Sequence, residues 1–172
     1  MTLDIATYTG FAIGRVGDIP RSWSVRLKRP HEGPEIAAFN MRCFLRDRLA
    51  LEKPDLVIIE DFLNPRFQKG AAAVTLSIGC HFVARAELLA RQVRHEPVAP
   101  STVRKHFCGA AHAGERADTK RMVIRRARML GYIPRDCSDD NRADACAMWD
   151  WAASNYGGVR PKELVMFGER YA

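Results

Sequence analysis

The sequence predicts a mixed α/β fold: a five-stranded sheet, three strands antiparallel and two parallel, flanked by helices. Three observations carry this. The first third of the chain alternates short apolar stretches with tight turns, the middle alternates strand with helix, and the last third is helical. Strand–helix–strand alternation requires crossovers, and right-handed crossovers make the joined strands parallel. At 172 residues, 47% apolar and 27% charged, the chain is expected to form one domain, residues 1–172, with a real hydrophobic core.

The elements follow in order. TLDIAT is a short apolar strand, GFAIGRVG is bracketed by glycines, and RSWSVRLKR carries Trp23, Val25 and Leu27 at period two. Gly10 and the Gly17–Asp18 pair supply the tight turns of an antiparallel meander. GPEIAAFNMRCFLRDRLALEK is a helix, with Pro34 near its start and Ile36, Phe39, Cys43 and Leu45 at helical spacing. PDLVIIED is a continuous apolar strand, of the kind buried on both faces. A helix from about residue 69 to residue 91 and the strand HEPVA come next. From Pro100 the chain reads as three helices: STVRKHFCG, roughly 117–130 and roughly 140–155. GAAHAGERAD, small and polar, is a candidate mobile loop between the first two. The tail from Gly157 carries no assignable pattern.

The net charge of +7 is consistent with a polyanionic partner such as nucleic acid. No apolar run stands out as a membrane span, and the first residues, MTLDIATYTGFAIG, lack a basic leader, so no membrane partner is expected and cytoplasmic residence is the default. The five cysteines are scattered and form no C-x-x-C. They predict buried thiols rather than a zinc site or a disulfide framework.

Three places put acids where apolar residues belong. Asp4 interrupts the first strand. Glu60 ends LVIIE, and functional groups of α/β proteins sit at such strand ends, although a strand's exit to solvent also accounts for one acid. DDNRADACAMWDWA then runs three aspartates into an apolar helix. At about 100° per residue, Asp140 and Asp144 share a face with Ala147, Met148 and Trp151. Asp139 and Asp150 project further round and are expected to be more solvated. Helix capping explains Asp139 or Asp140, but not Asp144, one turn inside. Carboxylates converging in an interior repel unless a cation neutralises them, and oxygen-only ligands favour Mg²⁺ or Mn²⁺. In a basic protein such a cluster suits two-metal phosphodiester hydrolysis, which needs no nucleophilic side chain.

LDIATYTGFAIG, DLVIIED, PSTVRKHFCG…ADTKRMV and DDNRADACAMWDWA, in that order and across nearly the whole chain, carry a resemblance. The chain resembles the RuvC-like Holliday-junction resolvases of the ribonuclease H-like superfamily, in particular short phage and prophage versions. The resemblance implies a ribonuclease H-like sheet and a homodimeric endonuclease that nicks four-way junctions in branched DNA, in the bacterial host cytoplasm if phage-encoded. It implies two Mg²⁺ ions per active site, with Mn²⁺ substituting, held by Asp4, Glu60 and two acids of the last helix. Asp144 matches the final acid. Relatives place the penultimate ligand three residues earlier, which here is Asn141. Asp140, on the shared face, takes that role, with Asn141 a weaker ligand and Asp139 an outside alternative.

The same resemblance implies basic residues that hold the scissile phosphate: Lys120, and either Arg104 or Lys105. Helical geometry puts Lys120 at the edge of its helix's buried face and gathers Arg121, Arg125 and Arg128 in a second stripe, either a candidate DNA-backbone contact or a solvated basic face. The aromatic that opens junctions in relatives falls near Leu63, between Phe62 and Phe67, and Phe67 is the choice here. The helix GAAAVTLSIGCHFVARAELL corresponds to one that contributes to a homodimer in relatives, and a buried helix of a monomer would carry the same pattern. A nuclease of the same superfamily acting on forks, flaps or RNA, and a non-catalytic DNA-binding relative, are the alternative readings. An actin-like ATPase would need a second domain and another glycine-rich phosphate loop.

Overall fold

The computed structural model describes residues 1–61 and 70–160. The strands are β1 (Thr2–Asp4), β2 (Tyr8–Ile13), β3 (Arg21–Arg26), β4 (Val57–Glu60) and β5 (His95–Val98). The helices are α1 (Pro34–Glu52), α2 (Ala71–Ala90), α3 (Pro100–Cys108), α4 (Arg116–Met129) and α5 (Asp140–Gly157). The five strands form one sheet in the order β3-β2-β1-β4-β5, antiparallel on the β3–β2–β1 side and parallel across β1–β4–β5.

β1 has only three residues, yet all are buried, because β2 and β4 both pair with it. Alternation along the strands then sorts side chains between two cores. Leu3, Phe11, Val57 and Ile59 join the α1 and α2 side, packed with Met41, Leu45, Leu88 and Cys80. Ala12 and Ile58 join the other side, with Phe107 of α3, Val123 of α4 and most of α5.

α1 buries Ala37, Met41, Leu45 and Leu49, a stripe at spacing four. The expected stripe is thereby rotated: Phe39 is 61% exposed and Ile36 lies at the surface. The helix offers apolar residues on more than one face, and its docking on the sheet and α2, not its periodicity, selects among them.

α2 corrects the expectation that no run is apolar enough for a membrane. Its length and a mean hydropathy of 1.3 over its best window would suffice to span one. Length and composition do not separate a span from a helix that is buried or paired with another chain. Leu76, Cys80, His81, Ala84 and Leu88 face inward, while Phe82 and Leu89 face out. Of the thiols, Cys80 and Cys146 are buried, and Cys43, Cys108 and Cys137 are half-buried rather than buried as expected.

Candidate active site

The parallel register of β1 and β4 assembles the first two acids. Leu3 pairs with Ile59, so the next residue on each strand, Asp4 and Glu60, stands at the same end of the sheet. Period-two alternation sends both toward α5, since Thr2 and Ile58 already face that side. The Thr2 hydroxyl donates to the Ala145 carbonyl at 2.7 Å and pins α5 to the central strand.

α5 lies unusually close to the sheet. A Cβ on Gly10 would stand 1.9 Å from the Asn141 carbonyl oxygen, so only glycine at this β2 position lets the first turn of α5 settle there. Arg142 Nε donates to Ser22 Oγ of β3 at 2.8 Å and fixes the rotation of that turn. Asp139 is the N-cap, its carboxylate accepting from the Arg142 N–H at 3.0 Å. Asp140 and Asp144 follow, on the side of the helix that looks toward Asp4 and Glu60.

The four carboxylates act on one another. Burial raises the Asp4 carboxyl well above its usual range, and the charge of Glu60, a hydrogen bond to Glu60, and the charges of Asp144 and Asp140 push it further. Between two carboxyl groups only a protonated one can donate, so this bond favours an Asp4 that holds its proton. Burial also pushes Asp144 up to about 6, opposed by Arg104 and Lys120 and reinforced by Glu60 and Asp140. An all-oxygen, mutually repelling donor set fits a hard divalent cation. Among the described residues, no three His, Cys, Asp or Glu side chains are gathered closely enough to form a finished metal cage.

Two cations approach this cluster. Lys120 of α4 pairs with Asp140, and Arg104 of α3 lowers the proton affinity of Asp144. The structure thus separates two residues left together by the sequence, because Lys105 is exposed while Arg104 is half-buried beside the acids. Arg121, Arg125 and Arg128 line a groove of about 840 Å³ with Arg126, Met122 and Met129. Arg121 also pairs with Asp118, and Arg128 Nε donates to the Cys137 carbonyl at 2.9 Å. Phe67, with Phe62 and Leu63, lies outside the described residues. A cleft of about 810 Å³ at the opposite end of the strands, lined by Met1, Arg15 and Trp149 among others, contains none of the four acids. The carboxylate end is the one with polarised chemistry, and cleft size alone does not identify a site.

No family model and no curated protein matches the sequence. Among solved structures, a Thermus thermophilus RuvC structure matches with a TM-score of 0.62 at 16% identity, covering 84% of this chain and 87% of that one. The fold is RuvC-like. A second structure, T. thermophilus RuvC in complex with Holliday junction substrate, matches with a TM-score of 0.61 at 14% identity, covering 85% of each chain.

Within this RuvC-like fold several polar residues escaped sequence reasoning. Asp150, expected to be solvated, is 6% exposed. Tyr132 Oη donates to its Oδ1 at 2.6 Å, and His106 Nε2 of α3 lies 3.1 Å from Oδ2. The correction has a simple cause: the sheet covers one side of α5 while α3 and α4 cover another, so the helix has little solvated face. His81 of α2, also buried, places Nε2 2.9 Å from the Glu60 carbonyl and Nδ1 2.7 Å from that of Ser77. It steadies the end of β4 from the far side of the sheet. Lone histidines and a tyrosine carry no spacing signal that could have announced these contacts.

Proposed function

We propose that the chain is a divalent-metal-dependent endonuclease that nicks four-way (Holliday) junctions and acts as a homodimer. The observation that carries this reading is the convergence of Asp4, Glu60, Asp140 and Asp144, from two parallel strand ends and one helix, on a single end of the sheet. The likeness to a RuvC bound to Holliday junction substrate supports the choice of DNA.

The roles we assign follow the resemblance, and the positions of the described residues are compatible with them. Asp4, Glu60, Asp140 and Asp144 would hold two Mg²⁺ ions, or Mn²⁺ in their place, with Asp140 taken as the fourth ligand ahead of Asn141. When bound, the ions supply an activated water and stabilise the departing oxygen. Arg104 and Lys120 hold the scissile phosphate by charge-assisted hydrogen bonds. Arg121, Arg125 and Arg128, with Lys105 further out, follow the backbone of a DNA arm. Phe67 is the proposed wedge at the branch point. Phe82 and Leu89, exposed on the outer face of α2, offer apolar surface for a second copy.

The test is incubation of end-labelled four-way, three-way, flap and linear DNAs, and an RNA duplex, with Mg²⁺, Mn²⁺ or Ca²⁺. Symmetric nicks confined to the four-way junction are expected with Mg²⁺ or Mn²⁺. Cleavage of flaps or RNA in preference to junctions would replace the substrate assignment.

A further inference from the structure

On that metal-nuclease reading, the pairing of Lys120 with Asp140 acquires a second meaning. Lys120 reaches from α4 to the first turn of α5 and rests on the Asp140 carboxylate. The two side chains are 39% and 28% exposed, so the pair is partly shielded rather than a loose surface contact. Around it stand Asp4, Glu60 and Asp144, three further carboxyl groups at the same end of the sheet. Arg104 and Lys120 are the cations that relieve Asp144. Their chemistry differs. The guanidinium is a rigid fork that keeps its charge, whereas the lysine ammonium is a compact charge on a flexible stem that can re-aim without moving its helix.

A single ammonium resting on a would-be ligand competes with any metal ion for that carboxylate. We propose that Lys120 is an exchangeable counter-ion. It neutralises Asp140 in the metal-free protein, and it yields the carboxylate to a divalent cation and turns to the incoming phosphate. The charge balance is consistent at each stage. Asp140 is never left bare among three other acids, and the released ammonium is free where a phosphate must be bound. Lys120 therefore opposes metal binding and assists substrate, two effects of opposite sign from one side chain.

The experiment is calorimetric titration of the full chain with Mn²⁺, without DNA, for the wild type and Lys120→Met. The wild type is expected to bind Mn²⁺, and Lys120→Met to bind it more tightly, on the order of tenfold, because one nearby positive charge is gone. Junction cleavage by the same variant is expected to fall at least about tenfold, a loss of the size that follows when a charge-assisted phosphate contact is removed. Unchanged or weaker Mn²⁺ binding by a Lys120→Met protein with a wild-type melting curve would overturn the exchange. If that variant does not fold, the lysine Nζ resonance of the wild type decides: it should shift as Mg²⁺ is added, and a signal that stays put through saturation overturns the proposal. A wild type that binds no divalent ion overturns the metal-nuclease reading itself, so the two failures are distinguishable.

Discussion

Gly10 of β2 lies directly beneath the Asn141 carbonyl, which a Cβ would meet at 1.9 Å. The contact is backbone to backbone, so no side-chain rotation relieves it. The position explains why a T-G pair follows Asp4 by a few residues: both lie in β2, and Gly10, paired with Asp4, makes room for the helix bearing the other acids. Gly10→Ala is expected to cost about 2–4 kcal/mol, as severe overpacking does. It should also reduce cleavage more than DNA binding, by lifting Asp140 and Asp144 away from the strands. Urea melts and single-turnover assays measure both. A variant with full stability and activity would refute the close approach.

Asp4→Asn and Asp144→Asn should each abolish cleavage while junction binding survives, read by gel shift in Ca²⁺. Asp4→Asn should also raise the melting temperature of the metal-free protein. The amide keeps the shape and donor of the protonated acid, and folding no longer has to bury a carboxyl group that must first take up a proton. Undiminished cleavage by either variant would sink the two-metal assignment.

The elevated acids make metal-free stability depend on pH with a definite sign. Asp144 moves from 3.8 to about 6 on folding, so the folded state holds a proton that the unfolded chain releases. The contribution of these two acids to stability is therefore greatest below about pH 4, declines through the interval up to about 6, and declines further as Asp4 titrates. The Asp144 contribution is on the order of 3 kcal/mol. Denaturation midpoints between pH 4 and 8 in EDTA should show the decline, and saturating Mg²⁺ should flatten it. A midpoint that rises with pH across this range would contradict the site's electrostatics.

Tyr132→Phe removes a donor from the buried Asp150 carboxylate and leaves the ring packing on Phe107 and Trp149 unchanged. A buried acceptor deprived of its donor costs about 1–3 kcal/mol. Chemical denaturation should show that loss with Mn²⁺ affinity unaltered, because Asp150 lies away from the four acids. Altered metal binding would place this cluster in the site.

Junction binding should weaken steeply with salt, and Arg121→Ala or Arg125→Ala should each lower the slope of log affinity against log salt by about 0.9. Arg128→Ala should cost stability as well, since its Nε holds the Cys137 carbonyl. Slopes unchanged in both variants would move the DNA off this groove.

Period made most of the fold legible: the short apolar TLDIAT, the alternation in RSWSVRLKR, the unbroken apolar run before Glu60, and helical spacing from Pro100 onward all match observed elements. Gly10, expected in a tight turn, instead lies inside β2 opposite Asp4, where its missing Cβ admits α5. Asp4, Glu60 and Asp144 could be singled out because a charge in an apolar pattern is informative by itself. The face of α1 could not. Phe39 and Met41 are both apolar residues of one helix, and only its partner decides which is covered.

The sequence by itself determined which residue types lie at the ends of β1 and β4 and along α5, because local periodicity is written in each segment. Only the tertiary structure decided that Leu3 pairs with Ile59, that Gly10 admits Asn141, that Arg104 rather than Lys105 turns to Asp144, and that Asp150 is enclosed. Each of those depends on two or more segments distant in the chain meeting at a fixed register. A one-dimensional pattern states which face of an element is apolar, but not what lies against it.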